Sequence, residues 1–287
     1  THHLMFAEDA NHTLWTSGGG QVIGWLNTKM FDETQDEMKS QGWTALIRDA
    51  NGNGKRDAYT EPDQPLDPSK DQRVGGALYA VAPAPDGSVW GTQLGYPGAI
   101  IRLAPGSNPP DTALVEIYQP PVDKGFSPRG GDVDRDVVYW AAMASGHLAS
   151  FDRRKCKGSL NGPKASGLHC PEGWTFYTEP APQFKNVTDS GSTEGSYYTW
   201  VDQFDTLGLG RNVPINTGNA TEALLALKDG KFVTMRVPYP LGFYTKWMDG
   251  RIDDPAGGWK GRGLWTTIST RAPFHMEGGK GTTSKVM

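Results

Sequence analysis

The sequence predicts an all-β fold, a β-propeller built from four-stranded blades, on three observations. The chain of 287 residues carries 37 Gly, 21 Pro, 10 Trp and 10 Tyr, and it lacks long Leu/Ala/Glu/Lys tracts; this balance favours strands and turns over helices. Three windows align without a gap and each ends in Trp: HHLMFAEDANHTLW at 2–15, ALYAVAPAPDGSVW at 77–90 and SPRGGDVDRDVVYW at 127–140. Four short strands per unit then recur about every 40 to 75 residues, the signature of blades set radially so that sheet edges stay short and protected.

The elements follow in order. Each window opens with an apolar strand, passes a polar turn (Asp9 to His12, Pro85 to Ser88, Asp134 to Asp136) and enters a second strand carrying Trp15, Trp90 or Trp140. A third strand comes next, QVIGWLN, GAIIRLAPG or GHLASFDRR, and later units close on a fourth that runs into proline, TALVEIYQPP and GWTFYTEPAP. EALLALKDGKFVTMRVPYP at 222–240 repeats the third and fourth strands around a KDGK turn, preceded by YYTWVDQFD around Trp200. A last unit pairs FYTKWMDG with GRGLWTTIST around Trp265. About five blades are visible. Large rings on second strands fill the wedge between neighbouring sheets, and the alternative use is as a ligand platform. A chain of this size folds as one unit in many all-β proteins, so residues 1–287 are expected to form a single propeller domain with excursions at about 48–73 and 156–170.

The PDGSVWGT and GAIIRLAPG segments, in which a DG turn leads to a Trp strand and then to an I-x-R-L strand, resemble the streptogramin (virginiamycin B) lyase-like propellers and their NHL and gluconolactonase-type relatives. The chain is also similar to secreted bacterial proteins named for a carboxypeptidase regulatory-like domain. The resemblance implies a propeller that belongs to a seven-bladed ring, and a histidine with a divalent cation at the channel mouth. It transfers no motif residue by residue.

The loop DANGNGKRDAY at 49–59 sets Asp49, Asn51 and Asn53 at alternate positions, then Gly54, Lys55 and Asp57. Oxygen donors so spaced, with a glycine to turn the backbone, suit calcium. Lys55 offers its carbonyl, and Glu61 stands one residue past the position of a bidentate carboxylate. An ordinary Asn/Gly turn is the alternative. Ligands drawn from one short segment make this calcium structural, serving to order the insertion. Cys156 and Cys170 are the two cysteines. A disulfide between them would close the loop at a gain of about 3 kcal/mol and places the protein in an oxidising compartment, secreted or periplasmic; two unrelated thiols are the other reading. The opening THHLMFAED neither starts with Met nor carries an apolar leader, so an upstream segment is expected.

Lys and Arg (28) nearly balance Asp and Glu (32) and form no basic run, which argues against nucleic acid. No apolar stretch reaches the roughly 18 residues of a membrane helix. Ligands of propellers bind where first strands converge, which selects His2, His3, Arg129, Tyr198 and Tyr244, with Tyr197 beside them. His147 and His275 are the candidate catalytic bases, because imidazole moves protons near neutral pH. Arg129, flanked by glycine, would meet an anion or pair with Asp132. Asp249, Asp253 and Asp254 are candidates for a second divalent cation in the channel. The sequence holds no nucleophile elbow, HExxH, Walker loop or dinucleotide fingerprint. The expected function is therefore a binding or assembly module for a protein or glycan partner, with structural calcium. The alternative is a metal-dependent lyase or lactonase-like enzyme acting on a small-molecule substrate at the channel mouth.

Overall fold

A computed structural model describes residues 2–237, 244–254, 259–268 and 285–286. The first blade is β1 (Leu4–Phe6), β2 (Thr13–Ser17), β3 (Val22–Asn27) and β4 (Gln41–Ala45), with short helices α1 (Thr28–Thr34) and α2 (Glu37–Ser40) set between β3 and β4. β5 (Ile47–Arg48), β6 (Tyr59–Thr60) and β7 (Asp71–Arg73) follow, then β8 (Val81–Pro83), β9 (Val89–Gln93), β10 (Ala99–Ala104), the helical turn α3 (Pro109–Thr112) and β11 (Leu114–Tyr118). β8 to β11 form the second blade, and β5 extends it by pairing with β11, Arg48 opposite Val115. The third blade is β12 (Pro128–Val133), β13 (Tyr139–Met143), β14 (His147–Phe151) and β15 (Trp174–Thr178). The fourth is β16 (Thr199–Asp202), β17 (Val213–Gly218), β18 (Ala223–Lys228) and β19 (Lys231–Arg236); β20 (Met248–Asp254), β21 (Trp259–Ile268) and β22 (Lys285–Val286) make a fifth sheet.

The first strand of each sheet touches that of the next: β1 meets β8, β8 meets β12, β12 meets β16 and β16 meets β20. Antiparallel sheets laid edge to centre in chain order are the blades of a propeller. The polar turns between first and second strands are one device repeated. Asp9 accepts from the Thr13 amide (2.9 Å), Asp86 from Ser88 (3.0 Å) and Asp134 from Val138 (2.9 Å), so a short carboxylate satisfies the amides that the reversing chain leaves open. The KDGK turn is a two-residue hairpin with Lys228 opposite Lys231 and positive φ at Asp229 and Gly230, which matches the twist of the flanking strands.

Trp15, Trp90, Trp140 and Trp265 all lie on second strands, opposite Met5, Ala82, Asp132 and Asp249 of the first; Ile215 takes that place in the fourth blade, opposite Trp200. Their surroundings differ. Trp90 is fully buried and stacks on Tyr139 of the third blade at 5.7 Å, and Trp15 packs against Trp25. Trp140 stacks instead within its own blade on Tyr177. Trp265 is 43% exposed and lines the central cavity described below, so the wedge-filling expectation is corrected there: the same register position faces a space between blades in one sheet and the axis in another.

Cys156 and Cys170 form a disulfide, with Cα atoms 5.0 Å apart. The loop it closes docks on the insertion: buried Arg48 donates to the carbonyls of Gly162 (2.9 Å) and Ala165 (3.3 Å), and the Gly162 amide donates to Asp49 O (2.8 Å). Two excursions far apart in sequence thus brace one another across the second and third blades. Among the described residues no helix is long and apolar enough to cross a membrane.

Candidate functional site

The first strands converge on an axis whose two ends differ. At the end where these strands begin, aromatic and basic side chains gather. His3, buried, places Nδ1 2.6 Å from Tyr79 O and Nε2 3.2 Å from Lys246 O, which ties the first blade to the second and fifth. Its ring also lies 5.3 Å from that of buried Tyr198. His2 stacks outside on His3 (4.7 Å) and Tyr79 (4.3 Å). Burial lowers the pKa of His3 against the pull of the two carbonyls, and burial, His3 and Lys246 lower that of His2. A neutral imidazole donates once, so one of the two carbonyls facing His3 goes without an N–H from it when the ring is uncharged.

Arg129 completes the rim. Its Nη1 donates to Ser196 O (2.9 Å) and the guanidinium covers Tyr197 at 4.3 Å; Lys246 sits 4.7 Å from the same ring, and Tyr244 packs on it at 5.7 Å. These are cation–π geometries. The expected pairing of Arg129 with Asp132 is absent, since Asp132 accepts instead from the amides of Val133 and Val201 (2.8 and 2.9 Å). Gly130 does permit close approach, but by the chain itself: a Cβ there would stand 2.2 Å from the Tyr198 ring, and its amide donates to Tyr197 O. Of the five residues selected for the channel mouth, His2 packs on His3 and His3 on Tyr198, while Arg129 and Tyr244 both cover the ring of Tyr197.

The opposite end is open. A cavity of about 960 Å³ is lined from all five sheets, with Phe6, Trp200, Phe204, Trp247 and Trp265 as aromatic walls and Asp132 and Asp249 among them. Phe6 (58%) and Phe204 (50%) keep faces exposed to it. Burial pushes Asp132 up to about 7, with a smaller push from the charge of Asp249. At the mouth Arg135 pairs with Glu8 (2.6 Å) and lies over Phe204. Concave, mostly apolar space with a few placed charges is the usual form of a ligand site. None of the five residues selected for the channel mouth lines this cavity, although both sets sit on or beside first strands.

His147 begins β14, the third strand of its blade, about 10 Å outward of the first at the usual strand spacing. It is buried, its Nδ1 lies 3.0 Å from Ser145 Oγ, and burial lowers its pKa. Its placement as a base at the channel mouth is thereby corrected: packing beneath Gly191 and against Phe176 holds it inside the blade. His275 and the side chains of Asp253 and Asp254 lie outside the described residues. In the insertion, Asp49 accepts from the amides of Gly52 (2.6 Å) and Gly54 (2.9 Å), while the side-chain amides of Asn51 (3.0 Å) and Asn53 (2.6 Å) donate to Asp57, and Asn53 Oδ1 takes the Lys55 amide (2.8 Å). Glu61 turns to Arg73 (3.4 Å). Asp71, which the spacing did not single out, braces the turn by accepting from Ala50 (3.3 Å) and Asp57 (2.7 Å). Among the described residues no three His, Cys, Asp or Glu side chains gather as a metal site requires.

No family model and no curated protein matches the chain. Among solved structures it is similar to virginiamycin B lyase from Staphylococcus aureus (12% identity, TM-score 0.47, 83% of this chain and 55% of that one), to a streptogramin B lyase (12%, 0.35, 82% and 68%) and to a protein of unknown function from Bacteroides caccae (9%, 0.37, 88% and 81%). The chain thus spans about half the length of the first of these. The likeness is one of fold. The strand pairings and blade contacts carry the propeller architecture independently of it: this is an all-β propeller with an aromatic-walled cavity lined from all five sheets.

Proposed function

We propose that the protein is an extracytoplasmic binding or assembly module that takes a protein or glycan partner into the open cavity. The observation that carries this reading is the set of aromatic walls, Phe6, Trp200, Phe204, Trp247 and Trp265, around a space of about 960 Å³. Aromatic anchors in such a pocket supply most of the binding energy of an interface, and flat indoles suit apolar peptide side chains and sugar faces alike. The disulfide supports a location outside the reducing cytoplasm. The lyase or lactonase reading has less support, because none of the described histidines lines the cavity.

The test is a fluorescence titration of the protein against peptide and glycan arrays, repeated with Phe204→Ala and Trp265→Ala, both at exposed positions. Binding weakened about tenfold or more, roughly 1.4 kcal/mol, in both variants is expected. Ligands that bind the variants as they bind the parent would sink the proposal. Structural calcium at the insertion belongs to the same proposal. The side-chain amides of Asn51 and Asn53 already face Asp57, with Asp49 turned onto the amides of the same loop, and rotation of the two side-chain amides would present oxygen in place of nitrogen. Asp49→Ser is expected to abolish calcium uptake by this loop, and unchanged uptake would refute it.

A further inference from the structure

Two buried glutamates belong to neither the rim nor the cavity. Glu179 follows β15 and is 1% exposed; Glu194 precedes β16 and is 4% exposed. Each has one satisfied oxygen. Glu179 Oε1 accepts from Ser196 Oγ (2.6 Å) and Asn216 Nδ2 (2.8 Å), and Glu194 Oε1 accepts from the amides of Gly195 (2.8 Å) and Ala220 (2.7 Å). The Oε2 atoms of both are buried without a hydrogen-bond partner. The two carboxylates feel each other's charge, so they share one locality at the seam of the third and fourth blades. Arg129 acts on Glu179 only weakly from its own place on Ser196 O and Tyr197.

This arrangement is unbalanced as it stands. Removing an ion from water costs several kcal/mol unless a counter-charge and hydrogen bonds compensate, and here two like charges are brought together. Burial pushes Glu179 up to about 7 despite the donors from Ser196 and Asn216, so a shared proton relieves one charge only below that pH. A cation satisfies both orphaned oxygens and leaves all four donors in use. The neighbours are oxygen-bearing and fully buried, Ser196, Thr199, Asn216 and Thr217, an environment that suits a hard ion.

We propose that Glu179 and Glu194 bind one hard divalent cation, calcium or magnesium, through their Oε2 atoms, pinning the end of the third blade to the start of the fourth. The site is separate from the Asp49 loop in sequence and in fold. EDTA-stripped protein titrated calorimetrically with CaCl2, and separately with MgCl2, tests it beside Asp49→Ser, Glu179→Gln and Glu194→Gln. One equivalent that survives in Asp49→Ser and weakens at least tenfold in each Gln variant is expected. Gln variants that bind like the parent overturn the proposal, as does a parent protein that takes up no divalent ion outside the Asp49 loop. Should either Gln variant fail to fold by circular dichroism, a crystal of Asp49→Ser grown with CaCl2 decides: an ion between Glu179 and Glu194 supports the site and its absence overturns it.

Discussion

Trp90→Ala probes the blade seam most directly. The indole is fully buried, stacks on Tyr139 at 5.7 Å, approaches Phe151 at 6.3 Å and donates from Nε1 to Ser88 Oγ at 2.9 Å. A Trp buries about 150–250 Å², which at about 25 cal/mol per Å² is about 4 to 6 kcal/mol. The Ala that replaces it retains part of this, and the neighbouring rings relax only partly into the space, so the expected loss is about 3–5 kcal/mol. That is at least about a fifth of the roughly 5–15 kcal/mol by which domains are stable. Trp265, 43% exposed at the same register position, is expected to lose less than about 2 kcal/mol on the same change, since about half of its surface already meets solvent. Urea unfolding followed by far-ultraviolet circular dichroism gives both values. Equal losses in the two variants, or a larger one at Trp265, would show that blade packing is not what buries Trp90.

Reduction of the disulfide, or the Cys156→Ser/Cys170→Ser variant, frees a loop with a sequence separation of 14 and is expected to cost about 3 kcal/mol; an unchanged urea midpoint with and without dithiothreitol would contradict this. Asp132 gives a pH dependence. Its folded pKa of about 7 stands above the ordinary 3.8, so the folded state holds the proton more tightly than the unfolded one. Stability from this group is complete below about pH 4 and is lost as the pH rises to about 7, by up to about 4 kcal/mol. Asp132→Asn should flatten that slope between pH 4 and 7 in urea titrations, and an unaltered slope would assign it elsewhere.

The repeat was readable because each blade repeats a local solution. The Asp turn followed by a Trp strand recurs at Asp9, Asp86 and Asp134, and alternation along short strands needs no distant partner to be recognised. His147 was misplaced because a histidine beside a turn looks alike whether its strand is first or third in the blade. Asp71 was overlooked because it meets the Asp49 turn only through the pairing of β5 with β7. Glu179 and Glu194 carry no motif, and the proline-rich segment between them reads as plain loop.

The sequence by itself determined the blade strands, their turns and the cysteine pair, all features set by short-range patterns and backbone preference. Tertiary structure alone decided which end of the axis holds the aromatic cavity, which Trp fills a seam and which faces that cavity, and that two acids far from any recognisable motif are both buried. Burial and charge proximity depend on how whole sheets are turned toward one another, and that relation is not written in any single stretch of chain.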